Sequence, residues 1–289
     1  MVSPKPFPAD VPNEEFESLV KRHFSNKIPA PSRPFDCLIT AGPPGTGKSF
    51  FIHTIAQEPV YQNHVLFDGN EEILCQLSTY QQDITQGMSL PDAWTKYVPT
   101  AAYFEALLLT AATGVSDERI KEIFDLNSKQ FKILRRYVER KPYDMLICST
   151  LRDGYECDEI WNKITDQGYR RTLCVFLGAF SDCQKRSAPA NRGGWIRDVQ
   201  EKSKIRFNVP AGITERASYH QDCIDAALQH IKQTNPADTV KVFALPRGKK
   251  IPRLIAEKNP PRPFRILNKL MWNRFPSRPN RKSRLFQIV

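Results

Sequence analysis

Gly42-Pro43-Pro44-Gly45-Thr46-Gly47-Lys48-Ser49 decides how the rest of the chain is read. The octapeptide fills the fixed positions of G-x-x-x-x-G-K-[ST], a loop whose backbone N–H groups turn inward around an anion. Glycine is needed where backbone must approach a phosphate closely, because a side chain would stand in the way. A helix read from about Lys48 to Gln57 points its positive end at the same place. All of Gly42 to Ser49 then lines a nucleotide: Lys48 reaches the β- and γ-phosphates, and the Ser49 hydroxyl ligates Mg²⁺.

The flanks agree with the motif. Phe35-Asp36-Cys37-Leu38-Ile39-Thr40-Ala41 is a short apolar run that reads as a buried strand. Phe50-Phe51-Ile52-His53-Thr54-Ile55-Ala56 is apolar enough for a helix packed on a sheet. Strand, glycine loop and helix in that order are the context the motif requires, so ATP or GTP with Mg²⁺ is the expected ligand.

The chain has 289 residues, 40% of them hydrophobic, enough for one large domain with insertions or two small ones. Its seven cysteines are odd in number and lack C-x-x-C spacing, and Cys37, Cys148 and Cys174 fall in strand-like apolar runs. Buried, reduced thiols follow, which suits a cytoplasmic location. There is no secretory signal at the N-terminus and no apolar stretch as long as the ~18 residues of a membrane span. The net charge of +11 is uneven: from Pro246 to Val289 there are thirteen Lys/Arg against one acid, Glu257, so the remaining residues are close to neutral.

Residues 1–34 read as a Pro-rich N-terminal arm with one helix, Asn13 capping Glu14 to Phe24, and with Phe16, Leu19, Val20 and Phe24 on one face. Residues 35–245 read as an α/β domain. After the first strand come His64–Phe67 ending at Asp68, Tyr143–Cys148 ending at Ser149-Thr150, Arg171–Leu177, and Thr239–Ala244, with helices between them such as Tyr155–Asp166 and Ile213–Gln233. Alternating β and α units imply a three-layer P-loop fold: a central parallel five-stranded sheet with helices on both faces and a helical insert, about 69–142, between strands two and three. Ligands of such sheets bind beyond the carboxyl ends of the strands, which gathers Gly42–Ser49, Asp68, Thr150 and the segment after Leu177 at one cleft.

The third strand lacks the terminal acids by which motor and helicase NTPases hold Mg²⁺, whereas Asp68 follows Lys48 at a spacing that suits kinases. Asp144-Met145-Leu146-Ile147-Cys148-Ser149-Thr150-Leu151-Arg152-Asp153 resembles the zeta-toxin kinase pattern of an apolar strand followed by E-G-T-L-R. The Asp166-Gln167-Gly168-Tyr169 that leads into the next strand also resembles that family, and the likeness covers about residues 35–200. It implies a kinase that moves the γ-phosphoryl of ATP or GTP to a hydroxyl, in that family the hydroxyl of UDP-N-acetylglucosamine, with Thr150 and Arg152 on the acceptor. Two positions depart from the family: the second acid of its D-x-D, the general base, is Asn70 here, and the Glu of E-G-T-L-R is Cys148. Asp68, Glu71 and Glu72 are the remaining carboxylates for the base, and Asp68 is the candidate for metal or acceptor. The departures imply weakened activity.

Phosphoryl transfer needs cations on the developing charge. Arg186 on a helix after the fourth strand, and Arg192 in the Gly-containing segment behind it, read as a lid over the γ-phosphate. The basic Pro-rich tail, 246–289, is open to three readings: contact with RNA or DNA phosphates, contact with an anionic membrane surface, or a solvated packing arm. The expected function is therefore a phosphotransferase. Its alternatives are a polynucleotide kinase that holds its strand with the tail, and an NTPase or NTP-binding module without an acceptor.

Overall fold

The computed structural model describes residues 4–152, 167–187, 217–246 and 251–273. Nine strands lie within them: β1 (Lys5–Pro6), β2 (Phe35–Ala41), β3 (Val65–Asp68), β4 (Phe124–Asp125), β5 (Met145–Cys148), β6 (Tyr169–Leu177), β7 (Thr239–Ala244), β8 (Arg253–Lys258) and β9 (Arg265–Ile266). The main sheet runs β3-β5-β2-β6-β7-β8-β9. Its first five members are parallel, and β8 and β9 join antiparallel at the β7 edge.

All five expected strands are present and mutually parallel, but the sheet has seven. The two extra strands come from the segment after 246, expected to stand apart as a tail. Arg253–Lys258 did not read as a strand because Arg, Glu and Lys flank its apolar centre. Pairing with β7 buries that centre, Ile255 and Ala256, completely. A weak local pattern was overridden by an open sheet edge.

The strands alternate between two apolar layers. Cys37, Ile39 and Ala41 of β2 join the larger core with α1 (Asn13–Phe24), while Leu38 joins Ile52 and Ile55 of α2 (Lys48–Ile55) in the smaller one. The period of two places successive side chains on opposite faces, and both faces are covered, which gives three layers. The insert supplies α3 (Ser78–Thr85), α4 (Leu90–Ala112), α5 (Asp117–Ile123) and α6 (Ser128–Tyr137). Behind the cleft follow α7 (Phe180–Ser187) and α8 (Ala217–Lys232).

The N-terminal helix belongs to the core. Phe16 and Val20 are fully buried, and the Phe16 ring stacks on Phe104 of α4 with centroids 5.6 Å apart. Burying such side chains stabilises by roughly 1.5–3 kcal/mol each. Asn13, expected as the cap, instead lies inside the helix; Pro12 is at the cap position and no side chain caps the turn. Glu14 and Glu15 at the start and Lys21, Arg22 and His23 at the end complement the helix dipole. A short parallel pairing of β1 with β4 ties the arm to the insert.

Deep between β6 and β7, Arg171 and Asp238 form an ion pair whose side chains are only 2% and 4% exposed. An Arg in the middle of a strand is tolerated there because the carboxylate answers it with charge-assisted hydrogen bonds from two guanidinium nitrogens.

Candidate nucleotide-binding site

The phosphate loop leaves β2 at a strand flanked on both sides, where the chain crosses to β3 and later returns to β5. That is where the strand order reverses and a crevice opens. Gly42 has φ +119°, and a Cβ there would stand 2.1 Å from the Phe176 carbonyl oxygen of β6, so only glycine fits. Its N–H donates to the Thr150 carbonyl at 3.2 Å, which stitches the loop to the segment after β5. Thr46 is fully buried, and its hydroxyl closes the loop onto the Pro43 carbonyl at 2.7 Å. Lys48 folds back into the loop, with Nζ donating to Gly42 O at 2.7 Å and to Pro43 O at 2.9 Å. Prolines at 43 and 44 have no N–H, so the donors of the cradle are those of Gly45 to Ser49.

Three residues lie side by side at the strand ends: Thr40 pairs in register with Cys148, and Cys148 with Asp68. Ser49 Oγ lies 3.5 Å from Cys148 Sγ. Burial, reinforced by the Asp68 charge, pushes the Cys148 thiol well above its ordinary value, so it stays protonated and is no ligand for a hard cation. The Ser49 hydroxyl and the Asp68 carboxylate are hard oxygen groups of the class that could hold a cation such as Mg²⁺. Asp68 is buried, with Oδ2 3.5 Å from His53 Nε2 of α2. The turn that follows, Gly69–Ile73, is π-helical, and a Cβ on Gly69 would meet Glu105 Oε2 of α4 at 2.7 Å. The insert therefore brings a carboxylate to the wall of the cleft.

After β5 the chain runs on through Ser149, Thr150, Leu151 and Arg152. Leu151 is fully buried and has φ +49°, a conformation that costs a branched side chain about 1–2 kcal/mol. It is held in part by its own backbone: the Leu151 N–H donates to Ser149 Oγ at 2.9 Å, and the Leu151 carbonyl lies 3.0 Å from His230 Nε2 of α8. The Arg152 guanidinium sits 4.3 Å above the Tyr219 ring, also of α8.

Arg186 on α7 reaches the other side of the loop. Its Nη2 would be 3.4 Å from a Cβ on Gly47, and Pro252, just before β8, would be 3.7 Å from the same point. The Arg186 Nη1 is buried without a hydrogen-bond partner among the described residues. Burial holds its pKa below the usual arginine value, and as an arginine it nonetheless stays charged.

Of the residues singled out in the sequence, Gly42–Ser49, Asp68, Thr150 and Arg186 thus meet around one crevice. Arg152 is held against α8, and Arg192 lies outside the described residues, as does the expected helix Tyr155–Asp166. His53, Glu105, Tyr219 and His230 were missed. Only His53 carried a signal, lying four residues beyond Ser49 and hence on the same helical face. Among the described residues no helix is long and apolar enough to cross a membrane.

No family model and no curated protein matches the chain in sequence. Solved structures do. A chain from the PezAT chromosomal toxin–antitoxin system of Streptococcus pneumoniae superposes with a TM-score of 0.56 at 15% identity, over 96% of this chain and 95% of that one. The AvrRxo1-ORF1:ORF2 complex with ATP is a more distant likeness, with a TM-score of 0.40 at 12% identity, over 91% of this chain and 69% of that one. The chain is thus similar in fold to the PezAT chain over nearly the whole of both.

Proposed function

We propose that the protein is a kinase that transfers the γ-phosphoryl group of ATP or GTP to a hydroxyl of a small acceptor, with a nucleotide sugar as the first candidate. The observation that carries this reading is Arg186. A charged guanidinium turned onto the phosphate loop, one of its nitrogens buried without a partner among the described residues, suits an anion that gains charge at that point.

In this reading Lys48 exchanges the carbonyls of Gly42 and Pro43 for β- and γ-phosphate oxygens, and the N–H groups of Gly45 to Ser49 close around the same phosphates. Ser49 and Asp68 would hold Mg²⁺, which would supply positive charge to the phosphates. The acceptor oxygen forms a bond to the γ-phosphorus as the bond to the β–γ bridging oxygen breaks, and the nucleoside diphosphate leaves. The acceptor proton passes to a carboxylate: Glu71 or Glu72 where Asp68 holds the metal, or Asp68 itself where it does not. Thr150 and Arg152 face the acceptor, with Arg152 steadied by Tyr219, and Arg192 would join Arg186 on the γ-phosphate.

The test is transfer of label from γ-labelled ATP or GTP to panels of nucleotide sugars and of oligonucleotides, with Lys48→Ala as control. Label on a sugar supports the proposal, and label on oligonucleotide ends moves it to a polynucleotide kinase. Label found only as free phosphate makes the protein an NTPase. Absence of any Lys48-dependent turnover sinks the enzymatic reading.

A further inference from the structure

The chain around β8 and β9 carries features that phosphoryl transfer does not use. Residues 251–273 hold five Lys/Arg against one acid, Glu257, and that acid accepts from Arg265 at 2.8 Å. Six large apolar side chains are exposed among the described residues, and three of them lie here: Ile251 at 67%, Leu267 at 42% and Leu270 at 79%. Single exposed apolar residues are ordinary, whereas a group of them rimmed by charge marks a surface that meets something.

Local structure explains why these leucines stay outside. The N–H groups of Leu267 and Asn268 both donate to the Ile255 carbonyl, at 2.7 and 3.0 Å, which fixes the chain on the edge of the sheet. Asn268 then caps a single helical turn, α9 (Lys269–Trp272), its side chain accepting from the Met271 N–H at 3.0 Å. Met271 and Trp272 pack against the larger core. Successive helical residues are about 100° apart, so with those two inward Lys269 and Leu270 point outward. The antiparallel register, Ala256 opposite Ile266, returns this stretch along β8 towards Arg253, which is also exposed. Leu267, Leu270 and Ile251 thus share one corner of the sheet edge with Lys269 and Arg253.

The partner follows from what is turned in and what is turned out. Phe264 and Trp272, the rings on which a base would stack, pack edge to face with centroids 5.7 Å apart, and both lie against the core. The exposed apolar groups are aliphatic, for which a hydrated phosphate backbone has no use. A bilayer takes both kinds: cations at its anionic headgroups, and aliphatic side chains in the acyl boundary beneath.

We propose that this corner docks the protein on an anionic lipid surface. Leu267, Leu270 and Ile251 enter the boundary between headgroups and acyl chains, and Lys269 and Arg253 meet the lipid phosphates. Pro252, between Ile251 and Arg253, is also the neighbour of Gly47 in the phosphate loop, so docking sets the rim of the crevice at the lipid surface. The docking needs no phosphoryl transfer and stands apart from the kinase reading.

The test is sedimentation of the full chain with vesicles of phosphatidylcholine, alone or with about a quarter of phosphatidylglycerol. The wild type is expected on the anionic vesicles and not on phosphatidylcholine alone, and added salt should weaken the binding. Leu267→Ser with Leu270→Ser should lower the partition coefficient about tenfold or more, through the loss of two inserted side chains. Lys269→Gln should lower it about fivefold, the scale of one base near such a surface. Ile28→Ser and Val60→Ser, at residues 70% exposed beside the start of β3, should leave it unchanged.

Absence of vesicle binding, equal binding to the two kinds of vesicle, or indifference to the leucine pair overturns the proposal. Three further results also overturn it by naming another occupant. Oligonucleotide binding that depends on Lys269 but not on the leucines would assign the corner to nucleic acid. A dimer in the ultracentrifuge that Leu270→Ser dissociates would assign it to a second copy. A urea midpoint lowered by the leucine pair would show that the chain itself covers them.

Discussion

Arg186 and Gly47 face each other so closely that a Cβ on the glycine would stand 3.4 Å from the guanidinium Nη2. The glycine also has φ +98°, so Gly47→Ala would both strain the backbone and crowd the arginine. Arg186 is costly to keep there: it is partly buried and its Nη1 finds no partner among the described residues. Such a group lowers the stability of the empty protein and is retained where a ligand will answer it. Arg186→Ala is therefore expected to leave the thermal midpoint unchanged or raise it, while lowering kcat about 10²–10³-fold. Arg186→Lys should recover little, because a point charge does not replace the guanidinium fork. Thermal melts and initial rates at saturating nucleotide read the two effects side by side.

The segment after β5 depends on His230. Leu151 occupies the left-handed region while fully buried, and His230 Nε2 at 3.0 Å from its carbonyl is one of the bonds that hold it. His230→Ala removes that bond inside the protein, a loss of about 1–3 kcal/mol. The same segment carries Thr150, whose carbonyl accepts from Gly42, and Arg152. The expected kinetic result is a raised KM for the acceptor, with the KM for ATP little altered; urea unfolding and steady-state rates check both parts.

What was legible in the sequence follows from how local each signal was. The phosphate loop needs eight consecutive residues, and the parallel strands are runs whose apolar character is set by burial on both faces, so both could be read directly. Asp68 and Arg186 could be placed because strand ends of such a sheet gather at one edge. Glu105 and His230 could not, since each reaches the cleft from a helix whose packing angle no local pattern encodes. The strand Arg253–Lys258 was hidden for a different reason: its mixture of charge and apolar residues becomes a strand only beside β7. Asn13 failed as a cap because Pro12, extended at ψ 150°, starts the helix one residue earlier.

Three histidines make the fold sensitive to acid. Burial lowers the pKa of His23, His64 and His220 below the ordinary 6.5. His220 also faces the charge of Lys48, while its Nε2 lies 2.8 Å from the Gly178 carbonyl. In the unfolded chain these rings take up protons as the pH falls through about 6.5, whereas in the folded protein they remain neutral to lower pH. The unfolded state then binds more protons, so stability is fully present above about pH 7 and declines as the pH falls through 6. Urea midpoints at pH 7.5 and 5.5 should show this, and His220→Asn should make the difference smaller. An equal midpoint at the two pH values would contradict the assignment of neutral buried rings.

The segment after Pro246 needs to be divided before its basic charge can be tested. Truncation at Leu245 would remove β8 and β9, uncover the β7 edge and lose the buried Ile255, worth roughly 1.5–3 kcal/mol by itself. An exposed edge strand is a template for pairing with other chains, so that truncation is expected to unfold or aggregate. Loss of nucleic-acid binding in such a protein would say nothing about charge. Truncation after Asn273 keeps every described strand and still removes Arg274, Arg278, Arg281, Lys282 and Arg284. Its urea midpoint should equal that of the full chain. If the removed bases track a phosphate backbone, the dependence of log affinity on log salt should become shallower by up to about 4 to 5 units for duplex DNA. An unchanged slope would leave the tail without a nucleic-acid role, and a lowered midpoint would show that residues beyond 273 help to hold the sheet.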